Sequence, residues 1–480
     1  MTATTCIRNA DWVIGWDAGA ESHQYLQGAD VVFAGNSITF VGKGYDSAVD
    51  NEIDGAGRCV MPGLVDIHNH TSTMPVFKGV REELGNPRFY MSALYDGWNL
   101  FAPEPEDKAW NARFAYCELL LSGVTTAVDM CDPFPGWLEA MADSGLRGYL
   151  SPFYASARWY SDDGYRLKYE WAEDGGKAAF ARAMALIDEA HGHNSGRLSA
   201  MVTPATIDTC TPKLLRDSVA AAEERDLPYQ LHAGESMMEF LEMTRRHGKT
   251  QIQWLHELGI LGPRTTIGHG IFLDHHSWLH WSSRDDIRLL AESGTSVAHC
   301  PTVFSRYGIA LENLGLYLDA GINMGIGTDC HPHNMIEEMR HAAVVARLAA
   351  EDMYVLKTAD VFHAATIGGA KALLRDDIGR LAPGAKADIV LIDVTDPAMR
   401  PVYDPLRCLI YTAADRVVRD VYVDGIQVVA DHRVVNLDFD EAADHVTDTQ
   451  RRILEKVPSR DHQGRRADQL SPLTFPLADG

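Results

Sequence analysis

Residues 61–70 read MPGLVDIHNH, a short apolar run that ends in two histidines. Side chains at positions i and i+2 of a β-strand lie on the same face. We therefore predict a buried strand whose carboxyl end presents the imidazoles of His68 and His70 side by side. Two histidines in this arrangement could bind one metal ion, but the pair alone is weak evidence of a site.

Eight strand-like segments alternate with amphipathic stretches that are rich in helix formers. The predicted strands span residues 64–70, 125–130, 148–154, 199–204, 229–235, 265–270, 296–301 and 323–329. The predicted helices span residues 108–122, 176–191, 212–225, 237–258, 285–293 and 311–320. This alternation predicts an α/β fold, a closed (β/α)8 TIM barrel. An open doubly wound sheet is the alternative, but no G-x-G-x-x-G follows an early strand.

Both ends of the chain instead show short alternating segments separated by turn signals. One such signal is Asp424-Gly425 between two β-rich runs, which is typical of a hairpin. We predict a small flanking β-sandwich built from both chain termini, residues 1–60 plus 378–435, beside a catalytic barrel of residues 61–377. A final helix at about 440–455 and a loosely held tail from residue 457 would form a C-terminal segment of residues 436–480.

Composition restricts the classes of function. The chain has 480 residues, of which 46% are hydrophobic, so it can bury a large core. Its net charge of −24 is spread along the chain, which disfavours a nucleic-acid partner. No apolar run approaches about 18 residues, so no membrane span is expected. The N-terminus lacks the form of a secretory signal, and eight scattered cysteines without C-x-x-C predict reduced thiols in the cytoplasm.

Four later strand-like segments end in groups that could complete a metal site with the first two histidines. They end in His232-Ala233-Gly234-Glu235, His269-Gly270, His299-Cys300-Pro301 and Gly327-Thr328-Asp329. Active sites of α/β barrels form at the carboxyl ends of the strands. We therefore expect these side chains to meet at one end of the barrel, which scattered core histidines would rarely do.

These residues, in this order, resemble the amidohydrolase superfamily, specifically its branch of mononuclear metal aminohydrolases and chlorohydrolases. That branch includes cytosine and guanine deaminases and the triazine hydrolases. The resemblance runs from about residue 61 to residue 384, and residues 385–390 (AKADIV) look like the family's C-terminal sandwich strand. It implies one divalent metal ion per subunit, Zn(II) or Fe(II), with the ligands His68, His70, His232 and Asp329. Two-metal members carry a lysine at the end of strand four, and this chain has none there.

The chemistry of these residue types agrees with that ligand set. Three imidazoles and a carboxylate suit Zn(II) or Fe(II) and leave a position for water, whose pKa falls toward about 7. We expect Glu235 to move protons, Asp329 to accept one, and His269 to polarise the substrate or orient the water. Simpler interpretations are a solvated carboxylate for Glu235, a helix N-cap for Asp329 and a structural histidine for His269.

Two aromatic-rich segments, residues 71–106 and 151–175, would lie over the barrel mouth, and the first is long enough to act as a lid. They favour a small, fairly apolar organic substrate. Candidate substrate contacts are Phe77, Trp98, His299 and His331. Each aromatic ring could instead pack the lid onto the barrel, and His299 could simply end its strand.

One departure from the family pattern concerns the substrate. Purine and nucleoside deaminases of the family usually carry a histidine near the end of strand four, where this chain reads Pro204-Ala205-Thr206. This difference weakens an assignment to a nucleobase or nucleoside. It leaves open hydrolysis of another carbon–nitrogen bond or displacement from a heteroaromatic ring.

We predict a metal-dependent hydrolase that removes an amino substituent from an electron-poor sp² carbon. Hydrolysis of an amide, urea or (thio)carbamate, or of a carbon–chlorine bond, would use the same attack and remains an alternative. A non-catalytic scaffold is a third possibility. A scaffold, however, does not need five ionisable side chains together, namely His68, His70, His232, Glu235 and Asp329. Because family members commonly assemble, we expect a homo-oligomer, a dimer or larger.

Overall fold

The computed structural model describes residues 3–80, 86 and 88–478. Its first strands are β1 (Thr4–Ala10), β2 (Trp12–Asp17), β3 (Ser22–Leu26), β4 (Ala29–Ala34), β5 (Ser37–Gly42), β6 (Asn51–Asp54) and β7 (Arg58–Pro62). The central strands are β8 (Leu64–Asn69), β9 (Val124–Cys131), β10 (Arg147–Tyr154), β11 (Ala157–Tyr160), β12 (Lys168–Trp171), β13 (Ser199–Ala200), β14 (Thr203–Pro204), β15 (Tyr229–Ala233), β16 (Thr265–His269), β17 (Ser296–His299) and β18 (Met324–Ile326). The last strands are β19 (Ile389–Asp393), β20 (Val418–Val423), β21 (Ile426–Ala430) and β22 (Arg433–Val434).

The helices lie mainly between the central strands and at the C-terminal end. They are α1 (Ser92–Tyr95), α2 (Gly97–Leu100), α3 (Lys108–Leu121), α4 (Trp137–Ser144), α5 (Lys177–His191), α6 (Pro212–Glu224), α7 (Met237–His247), α8 (Gln251–Leu258), α9 (Asp286–Ser293), α10 (Pro301–Arg306), α11 (Leu314–Asp319), α12 (Met335–Ala349), α13 (Thr358–His363), α14 (Gly369–Ala372), α15 (Pro405–Cys408), α16 (Phe439–Arg460) and α17 (Ala467–Leu470). Among the residues that the structure describes, no helix combines the length and the apolarity needed to cross a membrane.

Two parallel sheets form the centre of the molecule. One has the order β13-β10-β9-β8, with β14 also paired to β10, and the other has the order β15-β16-β17-β18. Isolated parallel bridges join the two sheets at both edges, between Thr206 and His232 and between Asn69 and Asp329. Every residue of β8, β9, β15 and β16 is buried. Burial on both faces explains why these strands read as continuous apolar runs, and the α/β class is confirmed.

Strands from both terminal parts of the chain form a β-rich unit. One of its sheets has the order β5-β4-β1-β6 and the other the order β22-β21-β20-β19-β7-β2-β3. Hydrophobic side chains of both sheets, including Val31, Val60 and Ile389, share one core. The hairpin between β20 and β21 turns at Asp424 and Gly425, whose φ angles are 52° and 74°, as a two-residue turn of this kind requires.

A buried ion pair connects this β-rich unit to the parallel core. Arg147 in β10 donates from Nε and Nη2 to the two carboxylate oxygens of Asp388, at 3.1 and 3.0 Å. The same guanidinium donates to Asp424 at 2.7 Å. The side chains of Arg147 and Asp388 are each only 2% exposed. The two parallel N–H···O bonds give this contact between the two units a defined geometry.

Two elements that the sequence predicts as continuous are interrupted in the structure. The helix expected over residues 237–258 is two helices, because Gly248 ends α7 in a left-handed conformation and Thr250 begins α8. The Thr250 hydroxyl accepts the N–H of Gln253, and the Gln253 side chain accepts the N–H of Thr250, which is a capping box. The strand expected over residues 199–204 is interrupted between β13 and β14.

The long helix α16 packs along the predicted lid, residues 71–106. Gln450 donates to the carbonyl oxygens of Val76 and Lys78, both at 2.8 Å. The tail predicted to be loosely held is partly anchored, since α16 continues to Arg460, whose guanidinium bonds the Ala102 carbonyl at 2.6 Å. Residues 81–85 and 87 of the predicted lid lie outside the described residues.

Candidate metal centre and active site

Four side chains predicted as metal ligands come together at the carboxyl ends of the parallel strands. The ligand nitrogens of His68, His70 and His232 lie within 4.8 Å of one another. The carboxylate of Asp329 lies 3.2 Å from Nε2 of His70 and 3.8 Å from Nε2 of His68. The backbone holds this carboxylate in place, because the N–H of Asp329 donates to the His68 carbonyl at 2.7 Å.

Each of the three imidazoles is oriented through its Nδ1 atom. Nδ1 of His70 donates to the Met130 carbonyl at 2.6 Å, and Nδ1 of His232 donates to the Ala205 carbonyl at 2.7 Å. Nδ1 of His68 donates to Oε1 of Gln230 at 2.5 Å. A proton held on Nδ1 leaves the lone pair of Nε2 for a metal ion, which is the usual arrangement of ligating histidines.

The protonation preferences of these groups suit a divalent cation. Burial lowers the pKa of His68 to about 4 and that of His232 well below its usual 6.5, so both rings are neutral. The buried Nε2 atom of His68 has no hydrogen-bond partner among the described residues. Such an atom is costly unless something binds it. The donor set therefore fits a metal ion of the zinc type.

Asp329 is the carboxylate of the cluster and remains ionised. Burial alone would raise its pKa, but the hydrogen bond from His70 and the neighbouring His269 and His68 rings outweigh burial and hold that pKa far below its usual range. Burial likewise opposes the charged form of His70, yet its bond to Asp329 raises the pKa of His70. A metal cation that replaces the proton between Nε2 of His70 and the Asp329 carboxylate would keep the charge of these two side chains balanced.

Glu235 follows β15 and faces the cavity beside the cluster. Its side chain is buried, and burial, followed by the negative charges of Glu239 and Asp329, raises its pKa well above 4.5. This environment favours the protonated form of the carboxyl group, which is the form that can donate a proton. Gly234 precedes it with φ of 69°, and a Cβ there would lie 3.1 Å from Cα of Gly270. Only glycine allows this close approach.

His269 and His299 are also buried. The His269 ring lies 4.6 Å from the His68 ring, and its Nε2 is 3.9 Å from the Asp329 carboxylate. His299 ends β17, and burial lowers its pKa to about 4. The thiol of the next residue, Cys300, lies within 4.8 Å of potential ligand atoms of His68, His269 and Asp329. The sequence offered a signal for it, since Cys300 directly follows the strand-ending His299.

A cavity of about 260 Å³ opens beside the cluster of candidate metal ligands. His70, His232, Glu235 and Asp329 reach it from the cluster side. Its other walls are largely apolar and aromatic, formed by Met74, Met91, Leu94, Tyr95, Trp98, Phe153, Trp159, Val303 and Phe304. The pocket therefore suits a planar or apolar organic molecule.

The four candidate substrate contacts fall into two groups. Trp98 and His331 line this cavity. Phe77 and His299 are not among the described residues that line it. Phe77 is buried within the cluster that packs the lid against α16, and His299 is the buried last residue of β17.

Several residues that orient the site were not singled out from the sequence. Gln230 is one, although its position two residues before His232 places it on the same face of β15. Asp66 is another, since it accepts the Thr328 hydroxyl at 2.6 Å and so ties the end of β8 to the loop that carries Asp329. The Tyr95 and Ser236 hydroxyl groups bond at 2.5 Å, which connects the lid to the Glu235 loop.

Known proteins are similar to this chain along most of its length. The profile of the amidohydrolase family matches residues 59–428. The chain belongs to the amidohydrolase family. This amidohydrolase is 32% identical over 432 residues to a 5-methylthioadenosine/S-adenosylhomocysteine deaminase of Desulforudis audaxviator, which covers 89% of this chain and 94% of the relative. It is 31% identical over 381 residues to a 5'-deoxyadenosine deaminase of Methanothermobacter thermautotrophicus, which covers 78% of this chain and 83% of the relative.

A solved structure gives the same result for the fold. The crystal structure of atrazine chlorohydrolase from Arthrobacter aurescens TC1, complexed with zinc, superposes with a TM-score of 0.79 at 25% identity. The match covers 93% of this amidohydrolase and 100% of that chain. The predicted reaction class is confirmed: the protein is a metal-dependent hydrolase that acts on carbon–nitrogen bonds other than peptide bonds, and its substrate is a small molecule.

Proposed function

We propose that this amidohydrolase removes the amino group from the adenine ring of a nucleoside that carries an apolar 5′ substituent. The carrying observation is that Glu235 and Asp329 face one apolar, aromatic-walled cavity beside a cluster of three imidazoles. The relatives named as 5-methylthioadenosine/S-adenosylhomocysteine and 5'-deoxyadenosine deaminases support this choice. Apolar side chains such as Met74 and Leu94 offer a surface for a thioether or methyl group, but little for a 5′ hydroxyl.

The residues of the site divide the proton transfers between them. We propose His68, His70, His232 and Asp329 as ligands of one divalent ion, Zn(II) or Fe(II), which would supply Lewis acidity that lowers the pKa of water. The ionised Asp329 accepts a proton from the attacking water. The protonated Glu235 carboxyl donates its proton to the ring nitrogen next to the amino-bearing carbon.

The same two side chains complete the reaction. Once the carbon–oxygen bond has formed, Asp329 passes the proton that it took from water to the amino nitrogen, the carbon–nitrogen bond breaks and ammonia leaves. The proton that remains on the new hydroxyl group returns to Glu235, which leaves a carbonyl on the product and restores both side chains. His269 stands beside Asp329, where its imidazole orients the attacking water. Trp98 and Phe153 enclose the ring and exclude solvent, which strengthens each of these electrostatic contacts.

A second candidate rests on the end of strand four. Ala205 and Thr206 stand where family deaminases that act on purines carry a histidine, and both line the cavity. An amino-substituted or chlorinated triazine has no sugar or purine edge, so its binding does not need such a histidine. Displacement from a triazine ring is therefore the alternative, with hydrolysis of aryl ureas or carbamates as a third use of the same site.

A substrate panel separates these candidates. Zinc-loaded protein would be given 5′-methylthioadenosine, 5′-deoxyadenosine, adenosine, an amino- and chloro-substituted triazine, and an aryl urea. We expect ammonia release from the first two, with a higher kcat/KM than for adenosine. Turnover of the triazine or the urea without turnover of the nucleosides would contradict the proposal. The same experiment with Fe(II)-loaded protein would identify the better metal.

The finer architecture belongs to the same proposal. We infer that the parallel strands close into a (β/α)8 barrel of residues 61–377, which the bridges at both sheet edges support. Residues 1–60 and 378–435 form the β-sandwich, and residues 436–480 the C-terminal helix and tail. A dimeric or larger assembly and a cytoplasmic location stay predictions, and sedimentation of the purified protein would test the first of them.

A further inference from the structure

One buried carboxylate behind the active site holds the loop that carries Glu235. Glu239 is 2% exposed, and its Oε1 accepts the N–H of Gly234 at 2.8 Å. Its Oε2 accepts the N–H of Glu235 at 3.2 Å. A single side chain therefore binds two consecutive peptide groups, and the second of them belongs to the residue that faces the cavity.

Helix capping does not account for these bonds. Ser236 is the N-cap of α7, and its hydroxyl accepts the N–H of Glu239 at 3.0 Å. In a capping box the third helical residue would bond the N–H of the cap itself. Glu239 instead reaches beyond Ser236 to the two residues before it, so its carboxylate acts on the loop and not on the end of the helix.

The loop is also fixed from its other side. The Gly234 carbonyl accepts the N–H groups of Ile271 and Phe272, both at 2.8 Å, from the segment after β16. Glu235 is thus held between the end of the sheet and Glu239. Glu239 is not among the described residues that line the cavity, so it acts on a bound substrate through the loop that carries Glu235.

We propose that Glu239 is a positioning residue that aligns the Glu235 carboxyl with the reacting atoms. The proposal rests on the proposed function, in which Glu235 moves the protons. Proton transfer depends steeply on distance and angle, and a displacement of about 1 Å at a reacting group can lower a rate about 100-fold. Loss of either N–H bond from Glu239 would let the peptide of Glu235 rotate and produce such a displacement.

The test is a double-mutant cycle on zinc-loaded protein with 5′-methylthioadenosine. Glu239→Gln keeps the shape of the side chain, but its amide nitrogen cannot accept one of the two N–H groups. We expect kcat to fall about 10- to 100-fold at unchanged KM and unchanged zinc content. The double variant Glu235→Gln/Glu239→Gln should be no slower than Glu235→Gln alone, because a residue that acts only through another adds no loss of its own.

Gln253→Ala is the matched control. Gln253 occupies the same third position of the neighbouring helix α8 and also accepts a backbone N–H near the helix start. We expect this variant to lower the unfolding midpoint and leave kcat unchanged. Losses that multiply in the double variant, or a full rate for Glu239→Gln while Glu235→Gln is inactive, would overturn the positioning role and leave the proposed function standing. A full rate for Glu235→Gln would contradict both.

Discussion

Gln230 accepts the Nδ1–H of His68 at 2.5 Å, in the protein interior beside the candidate metal ligands. Its amide nitrogen donates to the Ile67 carbonyl at 2.9 Å, which fixes which end of the amide faces the imidazole. Gln230 itself is fully buried in β15. The side chain thereby sets both the tautomer and the rotation of His68, and it turns Nε2 of that ring toward His70, His232 and Asp329.

We predict that Gln230→Leu weakens metal binding about 10- to 100-fold, the range typical of lost partners of ligating histidines. The reason is that the His68 ring loses its only side-chain acceptor at Nδ1 among the described residues. Zinc affinity would be measured by competition with a chelator, followed by elemental analysis. A variant that holds zinc as tightly as the unaltered chain would show that Gln230 does not orient the ligand.

Glu235 and His232 should separate catalysis from metal binding. We predict that Glu235→Gln keeps its metal and loses about 100- to 10,000-fold in kcat, because a general acid–base contributes about that much. His232→Ala should lose both metal and activity, since it removes one of three imidazoles that lie within 4.8 Å of one another.

Metal content by elemental analysis and the rate of ammonia release check both variants. Circular dichroism would confirm that each variant is folded. Equal loss of metal in the two variants would mean that Glu235 is a ligand, and the assignment of proton transfer to it would be wrong.

The buried pair of Arg147 and Asp388 should matter for stability and not for the chemistry. Arg147→Met leaves the carboxylates of Asp388 and Asp424 without the guanidinium, and breaking a buried pair in this way destabilises a protein by about 3–5 kcal/mol. Denaturant unfolding measures the change, and kcat per folded molecule should not change.

The exposed arginine Arg288 is the control for that measurement. Its side chain is 53% exposed and pairs with Asp285 and Glu292 on the surface of α9. Exposed pairs contribute at most about 1 kcal/mol, so Arg288→Met should shift the unfolding curve only slightly. Similar losses for the two arginine variants would refute the structural importance of the buried pair.

Asp286 should make stability depend on pH. Burial, and then the negative charge of Asp274, raises the pKa of Asp286 from an ordinary 3.8 to about 7. Between these two pH values Asp286 is protonated in the folded state and ionised in the unfolded state. Its contribution to stability is therefore complete below about pH 4 and is lost as the pH rises to about 7. One pKa unit corresponds to about 1.4 kcal/mol.

We predict that Asp286→Asn flattens this pH dependence. Asparagine keeps an oxygen for the N–H of Asp274, and the Thr250 hydroxyl can turn to accept from the new amide. Urea unfolding between pH 4.5 and 7.5 measures the slope. Glu292→Gln, which removes an exposed acid from the same helix, is the control. An identical slope in Asp286→Asn and the unaltered chain would show that Asp286 is not the group responsible.

The alternating strands and helices could be predicted from the sequence. The strand expected over residues 64–70 is β8, Leu64–Asn69, and the helix expected over residues 212–225 is α6, Pro212–Glu224. Buried parallel strands form continuous apolar runs, and amphipathic helices have a period of 3.6 residues, so both leave a local pattern. The break between α7 and α8 was missed because Thr250 and Gln253 sit inside an otherwise continuous helical pattern.

The residues of the site likewise divide into those that the sequence could identify and those that it could not. His68, His70, His232, Glu235 and Asp329 could be named because each lies at or near the carboxyl end of a recognisable strand, and such positions meet at one end of a parallel sheet. Phe77 and Trp98 could not be told apart, since both are aromatic residues of one loop. Packing against α16, more than 300 residues later in the chain, buries Phe77, whereas Trp98 turns toward the cavity.

The order of residues along the chain determined by itself that alternating strands and helices would form, and which ionisable groups would stand at strand ends. Those properties depend on neighbours within a few positions. Tertiary structure alone decided that Gln230 orients His68, that Arg147 binds Asp388 and that Glu239 holds the Glu235 loop. Two of these contacts join side chains far apart in the chain, and the third depends on the path of a loop, so only the folded backbone brings donor and acceptor to hydrogen-bond distance.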